Sequence, residues 1–151
     1  MVFECSAEVD AEPSSVFALT QDYGRRLAWD PFLTRAELVA PATAPGVGVR
    51  AYCAAYFGVG METEYVSFEP PRVAAMRMTC GPWFLERFAG SWRFRAVAPG
   101  RTRVTFRYRL EARPRWAARV LTLVLGWVFA RESRARLAAL RAAVAGRVAR
   151  L

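Results

Sequence analysis

Few side chains in this sequence can carry chemistry, and the two best placed to do so are phenols. Tyr65 and Tyr108 fall on the inward parity of two β-like segments. A tyrosine hydroxyl can donate or accept a hydrogen bond, or act as a weak acid with a pKa of about 10. In an apolar pocket it would orient a ligand's polar end or relay a proton. At the edge of a core it would be a half-buried aromatic with its hydroxyl at a cavity rim. Asp30, in Trp29-Asp30-Pro31, suits a turn or cap better than it suits a general base. Arg77 and Arg93 could clamp a ligand carboxylate only by reversing the face that alternation assigns to them.

What is absent excludes more. The chain has 151 residues, and all 22 of its basic residues are Arg, against 13 acidic ones. Without His there is no imidazole base, no Ser-His or Cys-His nucleophile pair and no His metal ligand. Without Lys there is no Schiff-base chemistry and no phosphate-loop lysine. Cys5, Cys53 and Cys80 are far apart and form no CxxC, so they read as core residues of a reducing compartment. Gly46-Val47-Gly48 and Gly58-Val59-Gly60-Met61 lack the helix and third glycine of a dinucleotide loop. No metal and no cofactor is expected. The N-terminus has no basic stretch leading into an apolar run, and the least polar segment, Trp116 to Ala130, is too short to span a bilayer. The expectation is a cytoplasmic protein of one domain, residues 1–151.

The elements that would position these residues follow from period and punctuation. Val2 to Ala11 alternates as a strand, and Pro13 opens a short helix, Ser14 to Gln21. Arg25 to Trp29 reads as a second short helix. Strands follow at Thr34–Ala40, Val47–Phe57, Met61–Phe68, Arg72–Cys80, Leu85–Val97 and Arg101–Glu111, with Gly and Pro turns between them. From Pro114 onward an Ala/Leu/Arg/Val composition predicts one long helix. Consecutive strands on short turns predict an α+β fold with an antiparallel, strongly curved sheet around that helix.

Strand parity sorts the side chains. Trp92 and Phe94 alternate with Arg93 and Arg95, and Phe106 and Tyr108 with Arg107 and Arg109. The same rule turns Met76 and Met78 inward against Arg77, Cys53 and Phe57 against Tyr52 and Tyr56, and Met61 and Tyr65 against Glu62 and Glu64. Val66 and Phe68 break parity, which predicts a bulge. The inner face is then apolar and almost uncharged. It is either a packed core or the wall of an apolar cavity.

Several motifs occur in the order of a known family: Val9 to Leu19 (a strand end, then Ala-Glu-Pro-Ser-Ser-Val-Phe-Ala-Leu), Trp29-Asp30-Pro31, Phe68-Glu69-Pro70-Pro71-Arg72, Gly90-Ser91-Trp92-Arg93-Phe94 and Gly100-Arg101-Thr102-Arg103-Val104-Thr105. With the long terminal helix, the chain resembles the SRPBCC superfamily (START-like, helix-grip), and within it the polyketide cyclase/dehydrase and lipid-transport group. The resemblance implies a curved seven-stranded antiparallel sheet wrapped around a long C-terminal helix, two short helices after strand 1, and an apolar cavity between sheet and helix. It carries no universal catalytic motif. Members that do acid-base chemistry place ionisable groups in the cavity, and the inward positions here are nearly uncharged.

The last helix is set apart by charge. Arg113 to Leu151 holds nine arginines and the single acid Glu132, whereas Met1 to Ala112 holds thirteen arginines and twelve acids. Leu137, Leu140, Val144, Val148 and Leu151 make one apolar stripe, but Trp116 to Phe129 is apolar nearly all round. That segment could touch a homodimer partner, a lid, or transiently an anionic membrane. Nucleic acid is not expected, because no aromatic platform or groove-reading motif accompanies the arginines.

The expected function is binding of a small hydrophobic ligand: a lipid, isoprenoid or polyketide. Its wall would be Trp29, Cys53, Phe57, Met61, Tyr65, Met76, Met78, Phe88, Trp92, Phe94, Phe106, Tyr108 and Trp127. The alternatives are a polyketide aromatase/cyclase using Tyr65 and Tyr108, and a membrane-surface or partner-binding module using the basic helix.

Overall fold

The computed structural model describes residues 1–148, with side chains described through Gly146. Its elements run β1 (Val2–Val9), α1 (Pro13–Gln21), α2 (Arg26–Trp29), β2 (Leu33–Leu38), β3 (Arg50–Ala55), β4 (Gly60–Glu69), β5 (Val73–Cys80), β6 (Leu85–Ala98), β7 (Arg101–Ala112) and α3 (Ala118–Val148). The strands form one seven-stranded antiparallel sheet in the order β1-β7-β6-β5-β4-β3-β2. This is the helix-grip architecture, with the curved sheet holding α3.

Alternation sets the register as expected. Trp92 lies opposite Phe106 and Phe94 opposite Val104, all buried, while Arg95 faces Arg103 on the wet side. The β6–β7 turn is held by Gly100 at φ 70°, a conformation that favours glycine, and its N–H donates to Glu12 Oε1 at 2.7 Å. That bond ties the turn to the start of α1. The bulge expected near Val66 is present, as a register shift between Tyr65 and Ser67.

One strand is shorter than the sequence suggested. β3 begins at Arg50, because Gly46 to Val49 form a turn in which the Val49 N–H donates to Gly46 O at 3.0 Å. Gly48 holds the turn at φ 83°.

α3 packs mainly on β1 and β7. Leu137, Leu140 and Val144 are buried on that face. The remainder of the expected stripe, the Val148 side chain and Leu151, lies outside the described residues. The opposite face carries an outward line of Val120, Leu123, Val124 and Trp127, then Arg131, Arg134, Ala138 and Arg141, with exposed Trp116 in the turn just before the helix. Apart from the exposed Arg119 beside its start, the line is apolar as far as Trp127 and cationic beyond. Among the described residues no helix is long and apolar enough to cross a membrane.

Candidate functional site

Between the sheet and α3 lies a cavity of about 380 Å³. Its apolar wall comes from β3 to β7 and from one side of α3: Met61, Met76, Phe88, Trp92 and Phe106 on the sheet, and Leu125, Val128 and Phe129 on the helix. Phe57, in the β3–β4 turn, also lines it and is 47% exposed. The size and lining are those of a small-molecule site.

The cavity is not free of charge. Arg26 from α2 and Arg136 from α3 both line it. Arg26 Nε donates to Asp30 Oδ2 at 2.8 Å, and its Nη1 donates to Thr20 O at 2.7 Å. Arg136 Nε donates to the same Asp30 Oδ2 at 3.0 Å, and its Nη2 lies 3.0 Å from it. Asp30 Oδ1 accepts the Phe32 N–H at 3.0 Å, which is the turn role expected of it. The sequence reading of an almost uncharged interior is therefore corrected. The sheet does turn its charges outward, but two helices bring three charges in.

The aromatic wall supports this cluster. The guanidinium carbons lie 5.5 Å (Arg26) and 5.6 Å (Arg136) from the Trp92 ring centroid. Arg136 also sits 5.4 Å from the Phe32 and Phe106 rings, and Arg26 5.0 Å from Trp29. Weakly hydrated guanidinium faces suit such rings. Burial alone would push the Asp30 carboxyl up, but the fields of Arg136 and Arg26 and its hydrogen bonds outweigh this and hold it below the usual carboxylate range. Burial likewise opposes the charge on Arg26, and the Asp30 carboxylate overcomes it.

A hydroxyl chain leads away from the same end. Tyr65 donates to Gln21 Oε1 at 2.6 Å, so at the 2.9 Å contact between the two phenols Tyr23 is the donor. Gln21 Nε2 donates to Thr20 Oγ1 at 3.1 Å, which donates to Phe17 O at 3.0 Å. Burial pushes the Tyr23 phenol up to about 12 and the Tyr65 phenol further in the same direction. Both are neutral at physiological pH. Burial also raises the Cys53 thiol in the cavity wall.

Of the residues named from sequence, Cys53, Phe57, Met61, Met76, Phe88, Trp92 and Phe106 line the cavity. The others sit elsewhere, each for a visible reason. Tyr65 is buried behind Gln21 and Tyr23, which take the wall position. Tyr108 is spent on packing, its hydroxyl donating to Gly126 O at 3.2 Å, and burial raises its pKa. Phe94 packs edge-on against Phe17, 5.3 Å between centroids. Trp29 is buried under Arg26, and its Nε1 is the one sealed side-chain N or O atom without a partner among the described residues. Met78 lies against the β5–β6 turn at Gly81. Trp127 is 65% exposed on the outer face of α3. Arg77 and Arg93 stay outside the cavity, Arg77 paired with Glu64 at 3.1 Å.

Sequence reasoning missed Gln21, Tyr23, Arg26, Phe32 and Arg136. One signal existed for Arg136: it lies seven residues after Phe129 and four before Leu140, on their face of the helix. Another was the i, i+4 spacing of Arg26 and Asp30.

The same architecture recurs among solved structures. The Zhui aromatase/cyclase from Streptomyces sp. R1128 superposes with a TM-score of 0.84 at 18% identity, over 98% of this chain and 95% of that one. A START superfamily protein from Mycobacterium smegmatis gives 0.77 at 11% identity, over 96% and 97%. The di-domain aromatase/cyclase BexL of the BE-7585A biosynthetic pathway gives 0.76 at 16% identity, this chain spanning 45% of it. At these identities the likeness speaks for the fold. No curated protein matches the sequence. The family described as polyketide cyclase/dehydrase and lipid transport matches residues 2–145. With that match over nearly the whole chain and a START-like sheet gripping its last helix, the chain belongs to the polyketide cyclase/dehydrase and lipid-transport family of the SRPBCC superfamily.

Proposed function

We propose that this chain is a cytoplasmic container for one small hydrophobic molecule (a lipid, isoprenoid or polyketide) held between the sheet and α3. The carrying observation is the cavity of about 380 Å³, whose wall is apolar except at one end. Burying apolar surface there is worth about 25 cal/mol per Å², before the cost of ordering the ligand. Three free cysteines suit a reducing compartment. Native mass spectrometry of the purified protein, followed by solvent extraction, tests this reading. The expected result is one co-purifying hydrophobic species per chain, or uptake of one lipid or polyketide mimic. Retention of neither across both classes of mimic would sink the reading.

The polar end favours a second reading, an aromatase/cyclase for a poly-β-keto chain. Arginines beside a reacting carbonyl stabilise an enolate as it forms and attacks a second carbonyl, with loss of water after ring closure. The resident groups fit electrostatic stabilisation better than proton abstraction. Asp30 is held by two arginines, and Tyr23, Tyr65 and Cys53 keep their protons. The same spectra read this out: a bound poly-β-keto mimic is released lighter by one water if the cavity turns it over, and unchanged if it only holds it.

The outward line on α3 supports transient docking on an anionic bilayer. Trp116 and Trp127 are 89% and 65% exposed, and arginines flank the apolar turns at both ends. Co-sedimentation with vesicles containing phosphatidylglycerol is expected, and it should weaken with salt and with Trp127→Ser. Pelleting that ignores lipid charge would rule out this contact. A concentration-dependent homodimer that hides Trp127 would assign the face to a second copy instead.

A further inference from the structure

The charges at the polar end do not balance. Arg26 and Arg136 share one carboxylate, Asp30, so the cluster carries one positive charge in excess. All three side chains are buried or nearly so, at 8%, 13% and 0% exposure. Placing an uncompensated charge in an apolar interior is costly unless something pairs with it. Other carboxylates do not approach the cluster: Asp30 is the only acidic side chain paired with either arginine among the described residues.

The guanidiniums are also incompletely used. Arg26 spends Nε and Nη1, and Arg136 spends Nε and Nη2. The remaining terminal nitrogen of each has no protein partner among the described residues. Neither is sealed off, since the only sealed unpartnered side-chain nitrogen or oxygen among the described residues is Trp29 Nε1. Both residues line the cavity, which places their guanidiniums at its polar end. They are fixed from behind by Asp30, Thr20 O and the Trp92 ring, and need little reordering to bind.

We propose that this end of the cavity is a subsite for a monoanionic oxygen group, a carboxylate, on a ligand whose body is apolar. The assignment rests on the container reading above and adds the chemistry of the ligand's head. One negative charge brings the cluster to neutrality, which a neutral alcohol cannot do and a phosphate dianion would overshoot. Two guanidinium N–H groups from different elements can meet the two carboxylate oxygens. Along α3, Arg136 lies 11 residues beyond Leu125, about 16 Å at 1.5 Å per residue. The head and the far end of the ligand site are therefore well separated, as an acid with an apolar tail requires.

Isothermal titration of the whole chain with decanoate and with decan-1-ol at neutral pH tests this. Wild type is expected to prefer the acid by roughly tenfold or more, the scale of a charge-assisted bidentate contact. Arg136→Met is expected to erase that preference, because the charge excess is removed. Arg26→Met leaves the other arginine paired with Asp30 and is expected to do the same, so the test survives if one variant misfolds. Equal wild-type affinity for acid and alcohol would overturn the subsite and leave the container standing. Binding of neither would overturn both. Decyl phosphate binding more tightly than decanoate would overturn the monoanion assignment.

Discussion

Asp30→Asn is expected to destabilise the protein by about 3–5 kcal/mol, because two buried guanidiniums lose the carboxylate they share. For a chain of this size that corresponds to a Tm lower by roughly 10 °C or more. The shape of the side chain is kept, so neither packing nor the turn hydrogen bond to Phe32 explains the loss. The opposite change tells the two effects apart. Arg136→Met leaves Arg26 and Asp30 as a neutral pair and keeps bulk against Phe32, Trp92 and Phe106. It is expected to hold stability within about 1 kcal/mol of wild type, since buried ion clusters often exchange for apolar groups without loss. Thermal scans of both variants check the asymmetry, and equal losses would refute it. The acid limb should move with Asp30. Its folded pKa lies below its unfolded value of about 3.9, so between the two the unfolded chain binds more protons and stability rises with pH. That contribution is complete above about pH 5 and is lost as pH falls through the folded value. Asp30→Asn should flatten the profile in that window.

Trp92→Ala is the other large change, expected to cost about 3–5 kcal/mol in urea unfolding. The ring is 4% exposed, 4.7 Å from Phe106 between centroids and roughly parallel to Phe94. It also gives both cavity arginines an aromatic face. Truncation opens a void where the wall meets the charges and removes two cation–π contacts together. Trp92→Phe is expected to restore more than half of the loss. A loss below about 1 kcal/mol for the alanine variant would mean that the arginines and Phe106 collapse into the space, and that the ring is not what fixes them.

How much of this was legible differs by element. In β7 the outward parity is Arg101, Arg103, Thr105, Arg107 and Arg109, and β6 sets Arg93 and Arg95 beside it, so a one-residue slip would bury a row of arginines. Register, inner face and the bulge beside Val66 were therefore readable, and so was the apolar part of the cavity. The charged part was not. Arg26 lies on a four-residue helix, too short for a periodic face, and Arg136 lies on a helix whose other described arginines, Arg119, Arg131, Arg134 and Arg141, are exposed. Partners also come from distant segments: residue 136 meets residue 30 only through the closed fold. Tyr65 had the right parity yet not the wall position, because the bulge and the α1–α2 connection place Tyr23 in front of it. For Trp127 the difficulty was a helix apolar all round, where periodicity cannot say which side meets the sheet.

The pairing of β1 with β7 has a consequence in time as well as in space. Val9 finds Thr102, and Val2 finds Arg109, across about 100 residues of intervening chain. On the ribosome, at about 5–20 residues per second, the first strand made waits roughly 5–20 s for its neighbour to be synthesised. Cys5, Ala7 and Val9 have no sheet partner until then, and α3, which packs on that strand, is made later still. Long-range closure of this kind places the chain among slow, high-contact-order folders. The sheet's first strand in chain order is among the last to be placed.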